Sequence, residues 1–304
     1  MADLSNDALL KLIIEADDSL LKEGEDPRGR SIVVIQRVMA KLGHHHSVSP
    51  ILLTNPPPLA EKIRALHGSL YRRSDFAVGG LHGGIFMFRD VFARVTVPIM
   101  FGRVGIKPHE MTDLSEMQVR WLYSIEHDRR MFLDQFSDIF DFAGGISNLG
   151  KYKAPPKDSA EIFGLAAFQL QAAAAALSAA FDFRGAVQSA LIGTELALKA
   201  GLAAAGVDAR TRKNHGHNLP SMTQALQAAN PALDAARILA AISHLPAYVE
   251  NRYSPTQPNR VETGHIVMGA QYIAGEVMRQ VTGHSIRPQF DSEGTRVYPP
   301  LAGN

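Results

Sequence analysis

Arg260 and His265 stand with four residues between them, where the loop NRYSPTQPN gives way to an apolar-periodic stretch. A histidine, whose ordinary pKa lies near neutrality, can take or give a proton. An arginine beside it can hold an anionic oxygen through charge-assisted N–H donors. The pair therefore suits acid–base chemistry on a charged ester. Spacing alone does not single it out, because nine Arg–His pairs in the chain have four to six residues between them, Arg37/His44, Arg210/His215 and Arg279/His284 among them. Placement on the fold has to decide.

A second group lies in RTRKNHGHN, where Arg210, Arg212, Lys213, His215 and His217 share one short loop. Such a loop can touch phosphates or be a solvated basic run. His44, His45 and His46 are adjacent and cannot all face one ion, so they are read as surface residues. Asp134, Asp138 and Asp141 fall roughly along one helix and are expected to form a solvated acidic face, not metal ligands. GGLHGG at 79–84 lacks the Lys-Ser/Thr ending of a phosphate loop and the spacing of a dinucleotide fingerprint. No metal and no cofactor are expected.

The whole chain narrows the classes further. Its 31 Lys plus Arg against 30 Asp plus Glu leave no global field to recruit nucleic acid or an anionic membrane, so any such contact is local. The absence of Cys excludes disulfides, zinc–thiolate sites and thiol nucleophiles. MADLSNDALLKLIIEADD has no basic leader ahead of an apolar core, so a cytoplasmic protein is expected. GLAAFQLQAAAAALSAAF is long enough to span a bilayer, but its glutamines and alanines favour a bundle helix, and no membrane partner is expected.

Helical spacing marks stretches 4–23, 30–42, 59–72 and 114–142, then 160–180, 183–205, 220–229, 231–248 and 261–281. Between 82 and 101 a short helix over FMFRDVFARV and an extended VTVPIMF are expected. GGISNLGKYKAPPKDS, rich in Gly, Pro and Lys, reads as a linker. The expected organisation is thus a mostly helical region over 1–143, a linker over 144–157, an antiparallel bundle over 158–284, and an irregular tail over 285–304. The fold class is mainly α.

Within 158–282 the features resemble a HEPN domain: two long Ala-rich helices, the Glu195–Lys199 face in GTELALK, the turn HGHNLPSMTQAL, and YVENRYS ahead of the last helix. Many members of that family are metal-independent endoribonucleases. They carry an Arg followed four to six residues on by a His at the start of the last helix, and two such pairs meet across a homodimer. The resemblance places those roles on Arg260 and His265. It implies RNA or nucleotide binding, with Arg252 joining the basic loop as a contact, and a toxin or defence setting with a protein partner of antitoxin type. Val261 stands where a polar residue is usual, and Ser254 where proline is. A non-catalytic binding or dimerisation module, or a structural helical protein, is the alternative.

Overall fold

A computed structural model describes residues 5–44, 56–72, 75, 80–100, 104–152, 156–179, 182–246, 258–290 and 294–301. The fold is mainly α, with eleven α-helices and one two-stranded sheet among the described residues. Two compact units divide the chain, Met1–Gly79 and Gly80–Asn304.

The first unit holds α1 (Asn6–Lys22), α2 (Pro27–Lys41) and α3 (Pro58–Ser69). Ser5 and Asp26 cap the first two helices by accepting from Ala8 N and Gly29 N, and Pro27 sits where its missing N–H costs nothing. Leu9, Ile13, Leu20, Val34, Val38 and Ile63 form the core. Asp17 is buried beside it and accepts from His67 Nε2 (2.9 Å) and the Tyr71 hydroxyl while pairing with Arg30 (3.1 Å). Burial pushes its carboxyl up, but the Tyr71 and His67 hydrogen bonds and the Arg30 charge outweigh that and hold it below the usual range. Of the histidine run, His45 and His46 lie outside the described residues.

The second unit starts with a hairpin, β1 (His82–Phe88) and β2 (Val91–Val97), antiparallel with Phe88 opposite Val91. The helix expected over FMFRDVFARV is therefore wrong. β1 is buried along almost its whole length, so its apolar residues run on instead of alternating. The turn is Arg89–Asp90, with Arg89 at φ 58°, and nothing in that dipeptide advertises a hairpin.

The remaining helices are α4 (Glu116–Ser124), α5 (Glu126–Tyr152), α6 (Lys157–Ala179), α7 (Phe183–Ala204), α8 (Ala209–Asn214), α9 (Leu219–Ala229), α10 (Ala235–Ile242) and α11 (Arg260–Thr282). The single helix expected over 114–142 is broken at Ile125, whose backbone is extended. The linker expected over 144–157 is helical as far as Tyr152, and the boundary between compact units lies near Gly80 instead. Gly145, in the stretch whose composition reads as a linker, is a close-packing site: a Cβ there would run into Met278 Sδ. The helix expected over 231–248 is shortened to α10, capped by Asp234. Short α8 occupies part of the expected loop 207–218.

Helix α11 is the axis of this unit. From Thr263 to Met278 every residue except His265 is buried, against α5, α7, α10 and β1. Among its described residues the C-terminal tail has one short 3-10 turn, Arg287–Gln289, and it packs against the fold, with Ile286 and Tyr298 buried.

His82 opens β1 fully buried, edge-on to Phe142, and among the described residues its Nδ1 has no hydrogen-bond partner. Burial lowers its pKa to about 4. The unfolded chain takes up this proton near pH 6.5 and the folded chain does not, so stability is intact above that pH and is lost as pH falls toward 4. His82→Leu should flatten the loss, gaining about 2 kcal/mol over wild type between about pH 7.5 and pH 5. Urea midpoints at the two pH values check this; parallel shifts in both proteins would refute it.

Candidate functional site

Asn259 caps α11, its side chain accepting from Val261 N and Glu262 N, and so fixes where Arg260 leaves the helix. Arg260 Nε donates to Asp90 O in the hairpin turn (2.6 Å), and its guanidinium lies over the Phe92 ring at 4.5 Å and farther over Phe183 at 6.0 Å. His265 is half-buried and faces elsewhere. Its ring stacks on Tyr298 (6.0 Å between centroids), whose hydroxyl donates to His265 O at 3.1 Å. Burial, then the nearby His244, lowers its pKa and favours the neutral imidazole. Five helical positions separate the two residues, which turns their side chains about 140° apart. One chain does not bring Arg260 and His265 to a common point.

The basic loop is sorted by its neighbours. Arg212 is buried, donating to Asp158 and to Val207 O, and serves to hold α8 against the start of α6. His215 shares a hydrogen bond with Ser221 Oγ (2.9 Å) at the start of α9. Arg210 and Lys213 are exposed on α8. His217 is exposed and meets Glu195 through Nδ1 at 2.7 Å, while Glu195 takes Lys199 Nζ on its other oxygen at 2.6 Å. The Glu195–Lys199 pair expected one helical turn apart is therefore formed. Arg252 lies outside the described residues.

Beside Glu195 and His217 opens a hollow of about 180 Å³. Leu191, Leu219, Ile242 and Leu245 wall it, and Asn218 and two prolines complete the lining. It has one carboxylate and one imidazole on a mostly apolar surface, the usual composition of a small-molecule site. A wider cavity of about 320 Å³ lies at another end of the bundle, lined mainly by Ala, Leu and Val with Asn230 and Gln280. Those two amides hydrogen-bond to each other at 3.0 Å.

The acidic ladder on α5 is not the solvated face expected. Asp134, Asp138 and Asp141 are buried, and arginines meet them from the C-terminal part of the chain. Arg279 pairs with Asp138 (2.9 Å), Asp141 (3.2 Å) and Glu276 (2.9 Å). Arg287 pairs with Asp134 at 2.6 Å, and Arg296 clasps Asp138. The tail backbone is bound as well: Val297 N and Tyr298 N donate to Asp134, and Ile286 N to Asp141. Among the described residues four carboxylates thus meet these three guanidiniums. Burial pushes the Asp138 carboxyl up to about 7, against the pull of Arg296 and Arg279. Among the described residues no group of three or more His, Asp or Glu side chains is arranged to hold a metal ion.

No family model matches the chain, and no curated protein or solved structure matches it. Among the described residues one helix, Lys157–Ala179, is long and apolar enough to cross a membrane by length and composition.

Proposed function

We propose that the chain is a non-catalytic, nucleotide-binding module of the HEPN type, with its site at the hollow beside Glu195 and His217. The observation that carries this is the His217–Glu195 pair lining a mostly apolar hollow of about 180 Å³, with Lys199 bound to the other oxygen of Glu195. A cavity of about 150 Å³ accepts a benzene ring, so this one has room for a single heterocycle. Leucine and isoleucine walls would sandwich the ring, and Glu195 and His217 would meet its polar edge. Arg210 and Lys213, exposed on the helix that leads into His217, are placed in sequence to meet phosphates. Against a ribonuclease stands the separation of Arg260 and His265, each committed to its own packing partners.

Titration of a fluorescent ATP analogue should saturate in the micromolar range. His217→Ala should weaken it tenfold or more, Lys213→Glu should weaken the triphosphate more than the nucleoside, and His265→Ala should leave it unchanged. Wild-type protein should cut no RNA in EDTA, with circular dichroism confirming that every variant is folded. Failure to bind any nucleotide, or binding indifferent to His217→Ala, would sink the proposal. So would RNA cleavage abolished by His265→Ala.

A further inference from the structure

Leu191, Leu219, Ile242 and Leu245 wall the hollow beside Glu195 and His217, and apolar walls grip any flat ring alike. Which ring enters is decided by the few polar atoms of the lining, because a buried donor or acceptor rejects a ring that leaves it unmatched. Glu195, on α7, is the acid among the described residues of that lining. Its side chain is 15% exposed, so hydrogen bonds made to it are weakly screened. Lys199 Nζ takes one of its oxygens at 2.6 Å and His217 Nδ1 the other at 2.7 Å. A carboxylate accepts at about four lone-pair positions, so each oxygen keeps one for a further donor. The two contacts also hold the carboxylate in place.

Asn218 supplies the opposite kind of group to the same lining. Its Oδ1 accepts from Ser221 N at 3.0 Å in capping α9, which leaves its NH2 to donate. The hollow therefore offers two adjacent acceptors on Glu195 and a donor on Asn218. Guanine matches that set. Its Watson–Crick edge places two N–H donors side by side, at N1 and N2, next to the O6 acceptor. Adenine and cytosine carry one donor group beside an acceptor, and uracil one N–H between two carbonyls. Each of those three can meet only one oxygen of Glu195.

We propose that the hollow selects guanine, with Glu195 as the specificity-determining residue. Its two oxygens accept from N1–H and N2–H, and the Asn218 amide donates to O6. The inference rests on the nucleotide reading of this hollow and names the base it takes. Contacts to the Glu195 carboxylate are charge-assisted, and losing one weakens binding roughly tenfold to a hundredfold.

Competition against the fluorescent ATP analogue tests the proposal. GTP should displace the analogue at a concentration at least about tenfold lower than ATP or ITP requires. The hypoxanthine of ITP keeps N1–H and O6 and lacks only the N2 amine. Glu195→Gln replaces two acceptors by one acceptor and one donor. It should weaken GTP about tenfold or more, erase the preference over ITP, and gain affinity for XTP, whose xanthine sets N1–H beside a carbonyl. A purely structural role for Glu195 cannot produce that gain. Asn218→Asp keeps the cap but turns the donor into an acceptor, and it should weaken GTP and ITP alike, since both keep O6. Circular dichroism checks that each variant is folded, and the wild-type series decides the choice of base without them. Equal displacement by GTP, ATP and ITP would overturn guanine selection and leave a nucleotide site standing. XTP binding that Glu195→Gln does not improve would overturn the role of Glu195. Binding of no nucleotide at all would remove the site itself, and guanine selection with it.

Discussion

Asp138→Ala is expected to destabilise the second unit by about 3–5 kcal/mol, because it removes the carboxylate that Arg296 clasps and Arg279 shares and leaves a mostly buried guanidinium without its anion. Arg279 keeps Asp141 and Glu276, but Arg296 loses the carboxylate it clasps and retains only the backbone oxygens of Asp134 and Tyr298. Its guanidinium, mostly buried over the Tyr272 ring at 4.7 Å, then has no anion to offset its desolvation. The chain from Ser285 to Leu301 should loosen first, since Arg296 is one of its main ties to α5. Two measurements read this: a lower thermal midpoint, and faster hydrogen exchange at Val297 and Tyr298, whose N–H groups donate to Asp134. A double variant, Asp138→Leu with Arg296→Met, should recover part of the loss, because a buried pair replaced whole by apolar groups of similar size is often close to neutral. If the single and double variants are equally unstable, the cluster is not what holds the tail. The wild-type carboxyl also titrates in reverse of His82. With its pKa raised to about 7, the folded chain keeps a proton that the unfolded chain sheds, so this group adds stability as pH falls below 7. Asp138 and His82 oppose each other across the same pH range, and only comparison with single variants separates them.

Why this cluster escaped the sequence is physical. Three aspartates at spacings of four and three look identical whether they face water or arginine, and the deciding arginine is 141 positions from Asp138. The run MFLDQFSDIFDFAGG does hold a local hint: its apolar residues fall on every side of the helix, leaving no polar face for water. Helices α6, α7, α9 and α11 were legible because their apolar periods are long and their caps, such as Asn218 and Asn259, stand where the periods begin. Strand β1 was not, since burial along almost its whole length erases the alternation that marks a strand. The stretch around Gly145 reads as a linker by composition, yet that glycine proves to be a contact, a distinction carried by Met278 on another helix. For the candidate site, the Glu195–Lys199 pair could be read locally, whereas the approach of His217 to Glu195 could not. Arg260 and His265 share a stretch of sequence, and the helix that carries them turns them apart.

Gln271→Leu should cost about 2–6 kcal/mol, although it exchanges one buried side chain for another of similar size. In an antiparallel hairpin alternate residues direct their N–H and C=O away from the partner strand, and an exposed row of such groups must be paired or covered. Ile85 is such a residue on β1, and the Gln271 amide takes both groups: Oε1 accepts from Ile85 N and Nε2 donates to Ile85 O, each at 2.8 Å. Three positions earlier on α11, Met268 Sδ accepts from Met87 N at 3.4 Å. The last helix thus covers the outer edge of the hairpin as a third strand would. Its closeness shows at Gly84, where a Cβ would lie 2.9 Å from Gln271 Oε1 and 2.7 Å from Ile139. Leucine fills the space but leaves a buried donor and a buried acceptor without partners, each worth about 1–3 kcal/mol. Met268→Leu, which removes only a weak sulfur acceptor, should cost less than half as much. Hydrogen exchange at the Ile85 amide should rise sharply in the first variant and little in the second. Equal protection in both would mean that the hairpin edge is held by packing alone, with the Gln271 amide contributing no more than its volume.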